Sequence, residues 1–364
     1  MNLILQVSIA LISILISQTA QCYEVDQFTR RNEPIRDSTA LIDAEINKRI
    51  QYAVESTNPN TFEKLLGVSG CGDKASDHND SRRRLFTNLS SYLVTGNPIG
   101  LVEAFAENNK SIDKRKIRTD ESIYKTAIEK SIIMKVFGIT SVIAVNNQKI
   151  GADKLGHFLS EGYEFYRKAH THATIEQKKD SVRAQNTTSE KEENGMATTN
   201  IKSYADMAAN YDGTRFWNKL CGAMTEDSTP TERNHFAKHK CLPNSYLKCE
   251  NGVWVLNPKE KFTLKNYVTP AWDETINCSV YHKDIDALVR SEIFYRVESY
   301  ESKMKRPCPV EPNACKGLRD SYPGKIFNNV IHPLCKEAAG PKFDLSDTAT
   351  EPSRTKTKKQ NIIK

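Results

Sequence analysis

Beyond its N-terminal segment, the sequence has no apolar run that approaches the roughly 20 residues a membrane-spanning helix needs. It has no tandem repeat of the kind from which solenoid proteins are built. It also lacks a phosphate-binding glycine-rich loop, a Gly-x-Ser-x-Gly nucleophile turn and a dinucleotide fingerprint. These absences argue against an integral membrane protein, apart from any N-terminal signal segment that is cleaved off. They also argue against a solenoid, a common nucleotide-dependent enzyme and a serine hydrolase.

From Pro352 to its last residue, the chain contains no acidic residue, and most of its net positive charge is concentrated there. The net charge is +7, and five of these charges come from Arg354, Lys356, Lys358, Lys359 and Lys364. Aromatic residues are not interleaved with a basic face, so the sequence does not favour nucleic-acid binding. We expect residues 340–364 to form a solvated, disordered basic tail, and the alternative is a tail that touches anionic lipid, lipopolysaccharide or nucleic acid.

The N-terminal segment lacks the usual basic start of a signal peptide but otherwise has the pattern of one. Residues 3–16 form an apolar run that is shorter than a membrane span and is followed by small and polar residues. We therefore predict a secretory signal peptide at 1–22, with a retained N-terminal anchor as the alternative. The predicted location is the periplasm, the cell envelope or the extracellular medium.

Cysteine usage agrees with export. The chain has nine cysteines, and cleavage after Cys22 would leave eight, an even number that suits up to four disulfides in an oxidising compartment. Eight cysteines allow 105 pairings. Only Cys241/Cys249 and Cys308/Cys315 are close enough in sequence to be plausible local loops.

A second interpretation of two of these cysteines is a zinc site. His235 and His239 are four residues apart, and Cys241 and Cys249 follow them. Two imidazoles and two thiolates are a common tetrahedral zinc ligand set. In an exported chain, however, the cysteines more often form disulfides.

Apolar periodicity predicts a mainly α protein with a helix bundle, a small β-hairpin and a disulfide-stapled, loop-rich C-terminal region. We predict helices at 38–57, 80–94, 98–107, from Thr119, at 152–170, at 203–220 and at 284–304. A hairpin is predicted at 141–151, where Asn146 and Asn147 supply the turn, and a strand at 253–256.

The predicted domain organisation has two main parts. Residues 23–222 form a helical domain, and residues 223–339 form a cysteine-rich region packed on it. Within the first part, residues 174–200 are dominated by polar side chains and contain no aromatic residue, which predicts a mobile insertion.

The first motif that carries chemistry is Asp153-Lys154-Leu155-Gly156-His157-Phe158. At helical spacing Asp153, His157 and Glu161 lie on one face. Two carboxylates beside an imidazole are able to bind Zn²⁺, Mn²⁺ or Fe²⁺. Alternatively, Asp153 orients His157 as a general base.

The second motif is Asp206-Met207-Ala208-Ala209-Asn210-Tyr211-Asp212-Gly213. Its small residues Ala208, Ala209 and Gly213 allow another helix to approach closely. Asp206 and Asn210 are then able to hydrogen-bond across to His157 or Lys154. Such a buried polar clasp specifies a fold without catalysing a reaction.

The two motifs together resemble the paired signature of VanZ-like and YfiM-like bacterial envelope proteins, in the same order. The strings 151–158 and 205–211 are also similar to those of exported proteobacterial proteins, and the resemblance covers about 70 residues, from Ile150 to Leu220. Unlike the VanZ pattern, these helices are too polar to cross a membrane. The resemblance therefore implies a site and an envelope location rather than a reaction.

Two functional hypotheses follow. In the first, the chain is an envelope protein with a structural or binding function, in which Asp153, Lys154, His157, Asp206 and Asn210 form an interhelical network. In the second, it is a metal-assisted or acid/base hydrolase of an envelope lipid or glycan. There His157 is the base or a ligand, Asp153 and Glu161 are ligands or orienting groups, and Asp206 and Asn210 hold substrate. A closed, paired cluster favours the first, and an open cleft over Glu161 and Asp212 favours the second.

Overall fold

The computed structural model describes residues 24–68, 70–71, 75–94, 100–130, 138–171, 201–222, 229–281, 308–322 and 324–340. Four predicted features lie outside these residues: the signal peptide at 1–22, the insertion at 174–200, the helix at 284–304 and the basic tail beyond residue 340. Among the described residues, none of the helices combines the length and the apolar run needed to cross a membrane.

The described part of the chain is mainly helical, as predicted. The helices are α1 (Thr39–Thr57), α2 (Thr61–Leu65), α3 (Ala75–Leu93), α4 (Leu101–Asn108), α5 (Lys125–Lys130), α6 (Asp153–Gly156, a π turn at His157–Glu161, then Gly162–Thr171), α7 (Tyr204–Leu220), α8 (Pro230–His239), α9 (Leu318–Ser321), α10 (Lys325–Val330) and α11 (Pro333–Ala339). Helix α1 contacts α3, and α6 contacts α7. Short 3₁₀ turns lie at Leu264–Asn266, Pro270–Trp272 and Pro312–Cys315.

The strands form small sheets of two or three strands. They are β1 (Glu24–Val25), β2 (Lys114–Arg115), β3 (Ile139–Thr140), β4 (Val142–Val145), β5 (Gln148–Gly151), β6 (Ile201–Ser203), β7 (Leu247–Glu250), β8 (Val253–Leu256) and β9 (Ser279–Tyr281). Strand β1 pairs with β3 in parallel, whereas β2-β4-β5, β6-β9 and β7-β8 are antiparallel.

The predicted hairpin is confirmed. Strands β4 and β5 pair antiparallel, and the turn residues Asn146 and Asn147 have φ angles of 51° and 59°. Two consecutive positive φ angles are typical of the type I′ turn that suits a two-residue hairpin, and asparagine tolerates them. The hairpin leads directly into α6 and so sets the position of the first motif.

The helix predicted from Thr119 begins later, at Lys125. The intervening backbone forms turns instead, because Ser122 Oγ accepts the N–H of Tyr124 and the Asp26 carboxylate accepts the N–H of Ile123. Local side-chain acceptors of this kind compete with the helical hydrogen bonds. Residues 131–137 of this predicted helix lie outside the described part of the chain.

One hydrophobic core includes residues from both predicted regions, 23–222 and 223–339. Its centre is aromatic: the ring of Phe158 lies 5.1 Å from that of Phe216, 5.2 Å from Tyr267 and 5.4 Å from Trp272, between centroids. The loop-rich region therefore covers the helices that carry the motifs. The core places Phe158, from the first motif, against residues just before and within the 3₁₀ turn at Pro270–Trp272.

Four disulfides connect the chain, but the predicted local pairs are wrong. The bonds are Cys71–Cys249, Cys221–Cys241, Cys278–Cys308 and Cys315–Cys335. Cysteines far apart in sequence are brought together by packing, so sequence proximity was a poor guide. The same pairing excludes the zinc site of His235, His239, Cys241 and Cys249, since both thiols are oxidised.

Candidate functional site

The ammonium group of Lys154 lies at the centre of the candidate site. Its Nζ is 2.7 Å from Asp153 Oδ2, 2.5 Å from Asp206 Oδ1 and 2.7 Å from Glu274 Oε1. The Lys154 side chain is 0% exposed, and those of Asp153 and Glu274 are 1% and 2% exposed. A buried ammonium is tolerated only where charged and hydrogen-bonding partners replace its water. We call Asp153, Lys154, His157, Asp206, Asn210 and Glu274 the ionic cluster.

Two motif helices supply most of the ionic cluster. Asp153 begins α6 directly after the hairpin, and its Oδ1 accepts a hydrogen bond from Thr140 Oγ1 at 3.2 Å. Asp206 lies in the first turn of α7, where its backbone N–H donates to the side chain of the cap residue Ser203. An acidic side chain in a first helical turn is favoured by the helix dipole.

The third contributor is Glu274, which follows the 3₁₀ turn at Pro270–Trp272. Its Oε1 also accepts a hydrogen bond from Ser203 Oγ at 3.0 Å, and its backbone N–H donates to the Gln27 side chain at 2.8 Å. The sequence analysis missed this residue. Its surroundings in sequence lack both helical and strand periodicity, so no pattern in the sequence indicated it.

Neighbouring charges set the protonation of the ionic cluster. Burial alone would lower the pKa of Lys154, but Asp153, Asp206 and Glu274 together raise that pKa well above its ordinary value. Burial would raise the pKa of Asp206, but the charges of His157 and Lys154 hold it well below its usual range. Burial raises the pKa of Glu274 to about 7, even though the charge of Lys154 opposes the rise. Glu274 therefore titrates near neutral pH, far above Asp206.

The imidazole of His157 joins the two motif helices. Its Nδ1 lies 3.0 Å from Asn210 Oδ1, and its Nε2 lies 3.1 Å from Asp206 Oδ2. An amide oxygen and a carboxylate oxygen are both acceptors, so this arrangement suits an imidazolium that donates from Nδ1 to Asn210 and forms an ion pair with Asp206. The His157 side chain is 6% exposed, whereas that of Asp206 is 22% exposed. Water therefore reaches the ionic cluster at the Asp206 side chain.

The predicted metal ligands Asp153, His157 and Glu161 are not brought together as a set. The group able to hold a metal among the described residues is Asp153, His157 and Asp206, whose ligand atoms lie within 4.8 Å of one another. Residues His157–Glu161 form a π turn, in which hydrogen bonds close over five residues and the four-residue spacing no longer returns to the same face. A divalent cation at Asp153 and Asp206 would share both carboxylates with the Lys154 ammonium.

Glu103, on α4, is a second acid that the sequence analysis missed. It is 4% exposed, and its Oε1 has no hydrogen-bond partner among the described residues. Burial raises its pKa well above the ordinary value, and the negative charge of Asp153 adds to the rise. Its Oε2 lies 2.4 Å from where a Cβ on Gly156 would be, so a larger residue at position 156 would displace the end of the Glu103 side chain.

The second motif also carries a separate buried carboxylate, Asp212. Its Oδ2 accepts hydrogen bonds from Trp272 Nε1 at 2.9 Å and Tyr322 Oη at 2.7 Å, and Arg215 Nη1 lies 2.6 Å from Oδ1. Asp212 is 0% exposed and Glu161 is 5% exposed. Both side chains are buried, which the clasp hypothesis expects, whereas the hydrolase hypothesis expects them to be exposed at a cleft.

No protein-family model, curated protein or solved structure matches this chain. The likeness of its motifs to those of VanZ-like and YfiM-like proteins consequently stays a proposal. The functional argument below rests on the geometry of the ionic cluster.

Proposed function

We propose that this chain is an exported protein of the bacterial cell envelope in which the paired motif is a non-catalytic ionic clasp. The observation that carries the proposal is the fully buried Lys154 ammonium, which contacts carboxylates from α6, α7 and the segment after Trp272. One side chain thereby holds three separate parts of the chain together. Networks of this type fix the register of packed elements.

The proposed location has two supports. The four disulfides are compatible with folding in an oxidising compartment. The order and content of the motifs are similar to those of VanZ-like and YfiM-like envelope proteins. The signal peptide and the arrangement of the helices as a bundle belong to the same proposal.

The experiment that tests the clasp combines metal analysis with stability. We expect the purified, oxidised protein to carry no stoichiometric metal by mass spectrometry. We expect His157→Ala to lower the free energy of unfolding by about 1–3 kcal/mol, because Asp206 and Asn210 lose a buried partner. His239→Ala, outside the ionic cluster, is the control. A stoichiometric metal that is lost in His157→Ala would contradict the proposal.

The second candidate is an acid/base or metal-assisted hydrolase of an envelope lipid or glycan. It is favoured by the 22% exposure of the Asp206 side chain beside His157, which leaves one edge of the ionic cluster open to solvent. In this mechanism His157 accepts and returns a proton. Asp206 orients the imidazole at Nε2, and Asn210 hydrogen-bonds to its Nδ1. Asp153 orients Lys154 rather than the histidine.

Activity and stability respond differently under the two hypotheses. A hydrolase would lose its turnover of ester or glycoside substrates in His157→Ala, while the melting temperature would stay near that of the wild type. A clasp would show a lower melting temperature and no turnover in either protein. Screening both proteins side by side with detergent-solubilised phospholipid and peptidoglycan fragments separates these outcomes.

A further inference from the structure

Helix α2 exposes large apolar side chains to solvent. Phe62 is 68% exposed, Leu65 is 81% exposed and Leu66, the C-cap residue, is 67% exposed. They are spaced i, i+3 and i+4, so they share one face. No residue of α2 is buried. Most helices gain their stability by packing an apolar face, so this one needs another source of order.

Backbone capping supplies that order at both ends. At the N-terminus, the Asn60 side chain accepts the N–H of Glu63, and the Glu63 carboxylate accepts the N–H of Asn60, which is a capping box. At the C-terminus, Gly67 has φ of 80°, its N–H donates to the carbonyl of Lys64, and the N–H of Val68 donates to that of Glu63. This pair of bonds is a Schellman motif.

The flanks of α2 are attached to the β7–β8 hairpin. The Asn58 side chain exchanges two hydrogen bonds with the backbone of Trp254, at 2.7 and 2.8 Å. On the other side, Cys71 is bonded to Cys249, and its N–H donates to the carbonyl of Gly252. The helix is therefore held in place without any contribution from its apolar side chains.

We infer that Phe62, Lys64, Leu65 and Leu66 form a membrane-contact tip that inserts into the surface of a phospholipid bilayer containing anionic lipids. Residues 60–68 carry one acid and one base: the half-buried Glu63 carboxylate is engaged in the capping box, whereas the Lys64 side chain is exposed. Apolar side chains next to a cation suit the boundary between anionic headgroups and acyl chains.

The size of the tip argues against a protein occupant or a second copy of this chain. A specific protein interface buries about 800 Å² on each partner and involves roughly 20–30 residues a side. Three side chains on a five-residue helix supply far less. Insertion into a bilayer has no such threshold, because each side chain leaves water independently.

The test uses the full-length oxidised protein and vesicles made of equal parts phosphatidylethanolamine and phosphatidylglycerol. We expect co-sedimentation to persist at about 1 M salt, where electrostatic attraction is screened beyond about 3 Å. The double variant Leu65→Gln, Leu66→Gln should lose at least tenfold in vesicle partitioning with an unchanged melting temperature. Leu334→Gln, which removes another exposed leucine (46% exposed), should bind like the wild type.

Tryptophan fluorescence provides a second readout, which reports directly whether the membrane-contact tip enters the bilayer. In Phe62→Trp, vesicles should shift the fluorescence emission to shorter wavelength, since the native Trp217, Trp254 and Trp272 are buried and report little of the change. Equal binding by the wild type and the double variant would overturn the inference. Binding that disappears in salt would also overturn it and would assign membrane contact to basic residues alone. An absence of vesicle binding would overturn it as well.

Discussion

At the scale of single residues, Lys154 determines the character of the motif. A lysine that follows an aspartate on a helix is ordinarily solvated, and an ion pair between the two contributes little to stability. Here the ammonium has exchanged its water for Asp153, Asp206 and Glu274. Removing one partner from such a set leaves the others charged and buried, so each member is costly to replace even where the whole set contributes little net stability.

Lys154→Met should therefore be strongly destabilising, by about 3–5 kcal/mol, because three carboxylates lose their shared cation. Denaturant unfolding under non-reducing conditions measures the loss. Lys48→Met is the matched control: Lys48 is 50% exposed and pairs with Glu45 on α1, so its loss should stay within about 1 kcal/mol. Equal effects of the two substitutions would mean that the buried contacts contribute no more than a surface pair.

Glu274 should make stability depend on pH near neutrality. Its pKa in the folded protein is about 7, above the ordinary value of 4.5, so the folded state binds this proton more tightly. The resulting stability is present below pH 4.5 and is lost as the pH rises through 7. Asp206, whose pKa is lowered from 3.8, contributes in the opposite direction and only at lower pH.

Glu274→Gln tests this dependence, since glutamine keeps the shape of the side chain and removes its titration. The difference in unfolding free energy between wild type and variant should change by about 1–3 kcal/mol between pH 4.5 and 8, in favour of the variant at the higher pH. Glu311→Gln, which removes the half-exposed carboxylate that pairs with Arg31, is the matched control. A constant difference across this range would exclude Glu274 as the titrating group.

At the scale of elements, the ionic cluster depends on how closely α6 and α7 approach. A Cβ on Gly213 would lie 2.0 Å from the carbonyl oxygen of Phe158, and one on Gly162 would lie 2.6 Å from the backbone of Gly213. The two glycines thus allow backbone-to-backbone contact. The contact brings Asn210 and Asp206, one and two turns before Gly213, against His157.

Gly213→Ala should separate the helices. Since the clash is with backbone, we expect a loss of about 1–3 kcal/mol or more despite the better helix propensity of alanine. Gly317→Ala is the control, because nothing lies within 4 Å of its added methyl group and its φ is negative. Thermal unfolding gives the melting temperature of each variant for comparison with the wild type. If Gly213→Ala were more stable than the wild type, the helices would tolerate a larger separation.

At the scale of the whole molecule, the disulfides join regions that the sequence keeps apart. Cys71–Cys249 spans 178 residues and Cys221–Cys241 spans 20. The first therefore links the helical region to the β7–β8 hairpin, and the second closes a local loop after α7. Loop-closure entropy in the unfolded chain grows with the logarithm of the loop length.

Replacing each pair by alanines should reveal that difference. We expect the Cys71/Cys249 variant to lose about 2 kcal/mol more than the Cys221/Cys241 variant, through the greater freedom of its unfolded state. Chemical unfolding gives the two values, and non-reducing peptide mapping verifies the four bonds first. Losses that are equal or reversed would mean that native contacts at the bonds outweigh loop entropy.

The sequence by itself determined the local elements. Apolar periodicity located α1 and α7, two asparagines located the hairpin turn, and the small residues of the second motif indicated a close helix partner. Each of these features depends on residues close together in sequence, which a linear pattern records. Helical spacing also showed that Asp206 and Asn210 are able to reach His157 or Lys154 if the two motif helices pack together, but the packing itself is a tertiary contact.

Only the tertiary structure decided the rest. Glu274 comes from a segment without periodicity, the π turn moves Glu161 off the expected face, and the cysteines pair across as many as 178 residues. Each of these depends on which distant surfaces pack together, and the free energy of that packing is a sum over the whole core rather than a local preference. The same packing gave Lys154 its three carboxylate contacts, on which the proposed clasp depends.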